Sequence, residues 1–231
     1  MNRRSYSMTH HVLYYECEKT QRMTLSMLLS VMIQVTREQG EFLNLTEEKM
    51  GQMGYGWIVL QHVFSVNRMP LTDEEIEIET IVKQYNKYFC YREFYVRNMQ
   101  GEELVQLTMV FALLDIEKRK MTQIPEAIVA PYDVPLVKKP LRIPKPTLVK
   151  EECAQYNLYR IRYFDIDAND HVNNSKYVEW MFDGLGEEFM TNHELKSGNI
   201  KFEKELRDKP INVCDCERIS KLMAAFISYS K

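Results

Sequence analysis

The chain has 231 residues, of which 45 % are hydrophobic, with 30 Lys and Arg against 33 Asp and Glu and a formal net charge of −3. That length suits one large or two small domains with a sizeable core, and a slightly acidic balance without a basic stripe among aromatics argues against nucleic acid. Residues 1–19 hold Arg3 and Arg4 but no continuous apolar stretch behind them, and no run nears the roughly 20 apolar residues of a membrane helix, so a soluble cytoplasmic protein without membrane insertion is expected.

Val12 to Glu18 reads as a short strand. Leu25, Leu28, Leu29, Met32 and Val35 then recur at helical spacing, with Thr24 as cap and Gly40 as stop. A polar connection with Gly51, Gly54 and Gly56 leads to four strand-like segments. The first is Trp57 to Val66; in the second, Ile76, Ile78, Thr80 and Val82 alternate with Glu77 and Glu79, as in a sheet with one covered face. Phe89 to Arg97 turns at Asn98 to Gly101 into Leu104 to Asp115, a nearly unbroken apolar run. A strand, a long helix and a meander is the order expected of a sheet wrapped around a helix.

Prolines 131, 135, 140, 144 and 146 break any regular element, so residues 131–150 read as a semi-rigid linker of polyproline character between domains at 8–130 and 151–231. Beyond it the pattern restarts: a strand from Asn157 to Tyr163, a helix from Ser175 to Phe189, and strands at Ile200 to Leu206, Ile211 to Ile219 and Leu222 to Phe226. The helix end echoes Gly40-Glu41-Phe42, and residues 222–226 echo residues 107–111, an internal duplication whose second half has room for one strand fewer. The five cysteines, Cys17, Cys90, Cys153, Cys214 and Cys216, are scattered and include no Cys-x-x-Cys pair, so reduced thiols are expected. Cys214 and Cys216 would share a strand face, but nearby residues supply no further ligands for a metal.

The richest stretch is Tyr163 to Tyr177. If it is extended as far as His171, Asp165, Asp167, Asn169 and His171 share a face. It runs into a helix start, with Asn173 or Asn174 as cap, where unpaired backbone N–H groups and roughly half a positive charge favour an anion. A calcium loop would want Gly where Asp170 stands and Glu where Lys176 stands. On residue types alone, an Asx-rich turn capping a helix serves as well.

Asp-x-Asn-x-His-Val-Asn-Asn, residues 167–174, followed by an aromatic helix, resembles the active-site signature of the acyl-acyl carrier protein thioesterases. The resemblance extends from about Tyr14 to Tyr229 and includes Gly56-Trp57 and the Ile-Pro-Glu after the first domain. It implies an α+β fold of two tandem hot-dog domains, each an antiparallel sheet wrapped around a long helix, with the acyl groove in the first and catalysis in the second. It places catalytic roles on Asp167, Asn169 and His171. A second similar segment, Ile200 to Glu205, places the fourth on Glu205, although periodicity alone reads Glu205 as a surface acid. Plant members carry Cys directly after that Glu; here it is Leu206, so no thiol nucleophile stands there.

The implied reaction is hydrolysis of fatty acyl-acyl carrier protein by carboxylate-activated water or a carboxylate nucleophile. Asn169 and His171 orient the groups, and backbone N–H groups at Val172, Asn173 and Asn174 hold the oxyanion; no metal or cofactor is required. Trp57 and Met27, with Met32, Met50 and Met53, are candidates to line the groove, and ordinary core packing is the alternative for each Met. Lys138, Lys139, Arg142 and Lys145 are candidates to dock an acidic carrier protein, or form a solvated linker. An acyl-CoA thioesterase, a hydratase or dehydratase on the same fold, and a non-catalytic acyl-binding protein are the competing functions. A fused pair is expected as a monomer or a homodimer.

Overall fold

The computed structural model describes residues 3–139, 141–146, 159–167, 171–202 and 223–230. Strands β1 (Ser5–His11), β2 (Tyr55–Val66), β3 (Glu75–Tyr85), β4 (Phe89–Asn98), β5 (Glu103–Asp115), β6 (Lys120–Thr122), β7 (Glu194–Phe202) and β8 (Met223–Ser230) form one antiparallel sheet. Its order is β1-β3-β4-β5-β2-β7-β8, with β6 hairpinned onto the end of β5. The halves therefore meet edge to edge at β2 and β7, where His62 lies opposite Ile200. The helices are α1 (Leu25–Phe42), α2 (Glu47–Gln52), α3 (Glu126–Val129), α4 (Asn174–Asp183) and α5 (Glu187–Asn192).

Alternation in β3 does what the sequence predicts: Ile76, Ile78, Thr80 and Val82 are buried beneath α1, whose Leu25, Leu28, Leu29, Met32 and Val35 form the facing stripe. Each such side chain contributes about 1.5–3 kcal/mol by leaving water. The Thr24 hydroxyl accepts the Met27 N–H at 3.3 Å and starts α1. Its end lies past the expected stop, at Phe42. Gly40 serves a close approach instead: a Cβ there would meet the Leu45 carbonyl oxygen at 2.9 Å.

Several expectations are corrected. The first strand precedes Val12, because the Glu16 carboxylate is buried and accepts the Leu13 N–H at 2.9 Å, curling residues Tyr14–Glu16 into a 3-10 turn. Residues 159–162 form no strand, and Tyr163–Asp165 is a 3-10 turn of the same kind. The single helix expected from Ser175 to Phe189 is two, broken where Gly186 takes φ +80°. Helix α2, capped by Thr46, and strand β6 are additions.

A 3-10 turn at Ala130–Tyr132 interrupts the start of the proline-rich segment, and two points beyond it are bonded to the sheet. Val137 N–H donates to the Tyr85 carbonyl at 2.9 Å, and the Pro144 carbonyl accepts from Gln61 and Asn199 side chains, each at 2.9 Å, across the β2–β7 junction. The segment's described residues form a strap fastened to the end of β3 and to the β2–β7 junction. Residues 203–222, which carry the remaining predicted strands and the question of a missing one, lie outside the described residues.

Candidate active site

The site is a short loop that delivers the chain into α4. The Asp165 carboxylate, buried, accepts the Arg162 N–H at 2.8 Å, and its backbone carbonyl accepts the Asn173 N–H at 2.9 Å. Ile166 bridges Val172, and the Asp167 N–H donates to the His171 carbonyl at 2.8 Å. Asn173 caps α4 by accepting from Ser175 N–H at 2.9 Å and Ser175 hydroxyl at 2.8 Å. The loop base is thus closed by backbone bonds, the last of them pairing the main chains of Asp167 and His171.

The expected four-residue row is therefore wrong in one member. Asp165 curls inward to cap its own turn, because an unpaired backbone N–H next to a short carboxylate makes a stronger local bond than an extended strand would offer. Asp167 and His171 are each half-buried, joined by their main chains; Asn169 lies outside the described residues. So do Glu205 and the thiols Cys153, Cys214 and Cys216. Of the three backbone donors expected for an oxyanion, that of Asn173 is spent on Asp165, leaving Val172 and Asn174. The Val172 side chain is core.

The other half supplies a residue the sequence did not single out. Arg119, in the turn between β5 and β6, places Nη2 2.7 Å from His171 Nε2. Among the other candidates, Trp57 is half-buried on β2, edge-on to Phe111 with ring centroids 6.4 Å apart, and Met27 packs in the first turn of α1. Met32 and Met50 are buried in the core cluster and Met53 is exposed, so the core reading holds for the first two. Lys138, Lys139, Arg142 and Lys145 all lie exposed on the strap.

A second residue missed by the sequence reading is His62, in an inward row with Phe64 and Val66. Its ring meets Phe202 edge-on at 5.2 Å, and Phe202 meets Tyr177 of α4 at 5.7 Å. Both ring nitrogens are buried without a hydrogen-bond partner among the described residues, and burial pushes the pKa down to about 3. A lone polar residue in an apolar strand row was its only signal. Burial likewise pushes the Cys90 thiol up to about 11, leaving it inert at neutral pH.

The loop has a twin. In the first half the Leu13 N–H donates to Glu16, the Thr24 N–H to the Glu16 carbonyl at 2.9 Å, and Cys17 bridges Met23 ahead of the α1 cap. Glu16 and Thr24 thereby match Asp165 and Asn173, so Glu18, Thr20 and Arg22 take the places of Asp167, Asn169 and His171.

Comparison with known proteins agrees with this duplicated architecture. Residues 3–132 match the model of the acyl-ACP thioesterase N-terminal domain and residues 149–222 that of the C-terminal domain. A chloroplastic acyl-[acyl-carrier-protein] hydrolase of Cuphea viscosissima is 28 % identical over 158 residues, 65 % of this chain and 38 % of its own length. A palmitoyl-acyl carrier protein thioesterase of Arabidopsis thaliana is 28 % identical over 158 residues, 64 % of this chain and 38 % of its own. The chain thus spans well under half the length of these curated relatives. Among solved structures, a Lactobacillus plantarum protein assigned as an oleoyl thioesterase is 35 % identical, with a TM-score of 0.85 over 88 % of this chain and 80 % of its own. An acyl-ACP thioesterase of Bacteroides thetaiotaomicron, 20 % identical with a TM-score of 0.75 over 90 % and 85 %, shares the hot-dog fold. With both family models matched in order along its length, the chain belongs to the acyl-ACP thioesterase family.

Proposed function

We propose that the protein hydrolyses fatty acyl-acyl carrier protein to free fatty acid and carrier protein. The observation that carries this reading is the closed loop that brings Asp167 and His171 together through their main chains at the capped start of α4, within a chain whose halves match the family's domain models in order.

In this reading Asp167 or Glu205 takes the proton of a water that attacks the thioester carbonyl. Direct carboxylate attack through an anhydride is the other route. Asn169 and His171 orient the water and the carboxylates. As the carbonyl oxygen gains charge, the N–H groups of Val172 and Asn174 and the positive end of α4 stabilise it, each well-aimed donor contributing about 3 kcal/mol. The carrier's thiol then leaves and takes up the proton. Chain-length preference follows from groove depth, at about 0.8 kcal/mol per buried methylene. An acidic carrier is drawn by Lys138, Lys139, Arg142 and Lys145 on the strap.

The test is thiol release from acyl carrier protein substrates of several chain lengths, beside the same acyl groups on coenzyme A. Asp167→Ala and Glu205→Ala are measured in parallel. Carrier substrates are expected to turn over faster, with both variants strongly impaired. Equal rates on the two thioesters remove the carrier preference, and unchanged turnover in both variants removes the site assignment.

A further inference from the structure

Arg119 and His171 come from opposite halves of the molecule, 52 residues apart in sequence, and meet at 2.7 Å. A guanidinium has only donor N–H groups and stays protonated at any working pH. The imidazole Nε2 must therefore be the acceptor. A ring nitrogen accepts only when it carries no proton, so the ring is neutral and its single proton sits on Nδ1.

The turn that presents Arg119 is held in place by its own bonds. Asp115 closes it, accepting the Lys118 N–H at 2.8 Å and the Lys118 ammonium at 2.7 Å, and β6 pairs Lys120 back onto Asp115. Arg119 itself sits at φ +51°, a conformation that glycine adopts without strain and arginine does not.

We propose that Arg119 is a positioning residue for the thioesterase reaction, holding His171 as the Nδ1–H tautomer so that the ring orients its partners as a donor and leaves proton abstraction to a carboxylate. The inference rests on the reading of His171 as a site residue given above. It also makes the site composite: the first half contributes a group to the loop of the second, beyond any role in holding the acyl chain.

The experiment uses the full chain labelled with ¹⁵N, with the His171 ring resonances identified by their loss in His171→Gln. The unaltered protein is expected to show the Nδ1–H tautomer and Arg119→Ala a shift toward Nε2–H, the form a solvated side chain favours. An unchanged tautomer in Arg119→Ala overturns the proposal. Arg119→Gly separates positioning from structure, because glycine relieves the backbone and removes the guanidinium. It is expected to keep or raise the melting temperature while kcat falls by up to roughly 100-fold at similar KM, with Arg119→Lys partly restored. An unchanged kcat in Arg119→Gly overturns the proposal as well. The tautomer is read without substrate, so failure of the hydrolase reading and failure of this inference are seen separately.

Discussion

The loops entering α1 and α4 are closed by the same backbone bonds at their bases and carry different side chains at three matching positions, Glu18, Thr20 and Arg22 against Asp167, Asn169 and His171. In the first, the Glu18 carboxylate accepts the Thr20 N–H at 2.9 Å and its hydroxyl, and pairs with Arg22 at 3.3 Å; Arg22 also donates to the Thr20 hydroxyl at 2.7 Å. Burial opposes the charge on Glu18, but the Thr20 and Arg22 bonds outweigh it and hold the carboxyl below its usual range. Arg22 reaches further, to the Met190 carbonyl at 3.1 Å and the His193 carbonyl at 3.4 Å at the end of α5, while Lys19 pairs with Glu187. The first loop is a clasp between halves, its polar groups saturated by permanent cations. The second carries an imidazole where the first has a guanidinium, and a neutral ring can exchange a proton or turn as a donor where Arg22 cannot. Duplication supplied one backbone device; a few side chains divided it into a fastener and a candidate site.

Several measurements break or sharpen that contrast. The largest effect is expected from Asp167→Ala, which lowers kcat/KM by roughly 10²- to 10⁴-fold, while Glu18→Ala, at the twin position, leaves kcat within a few-fold. Comparable losses in both would erase the distinction. Arg22→Ala should instead act on stability, by about 1–3 kcal/mol for charge-assisted bonds lost across the clasp. Denaturant unfolding reads it, and a fall in kcat without loss of stability would contradict the fastener role.

His62 gives the next effect, at the seam between the halves. Unfolded, it takes up a proton near its ordinary 6.5; folded, burial holds it neutral down to about 3. Between those values the unfolded state binds more protons, so stability falls as pH falls, by up to about 1.4 kcal/mol per pH unit. His62→Leu should flatten the slope of unfolding free energy against pH in that window, and a parallel slope would show that other groups set it. The smallest effect belongs to the strap. Neutralising Lys138, Lys139, Arg142 and Lys145 together should raise KM for acyl carrier substrates a few-fold, more at low salt. Small thioesters should be unaffected, and equal changes on both would place the dock elsewhere.

Periodicity found α1, the β2 to β5 meander and the restart of the pattern after the prolines, because hydrophobic spacing at 3.6 and 2 is written along the chain. It missed the curl at Glu16 and again at Asp165, where one carboxylate captures a backbone N–H and overrides the extended reading. Asp167 and His171 were legible through a motif; their pairing across a closed loop base was not, since it depends on bonds from Asp165 and Asn173. Nothing in the motif points to Arg119.

Residue order by itself determined α1, the β2 to β5 meander, the two-part organisation and the family, because each is encoded in local spacing and in types at short range. Tertiary structure alone decided which half hands a guanidinium to His171, which loop became the clasp and how the proline segment is strapped across β2 and β7. Those contacts join residues far apart in the chain, and only the edge-to-edge closure of the two half-sheets brings them within hydrogen-bond reach.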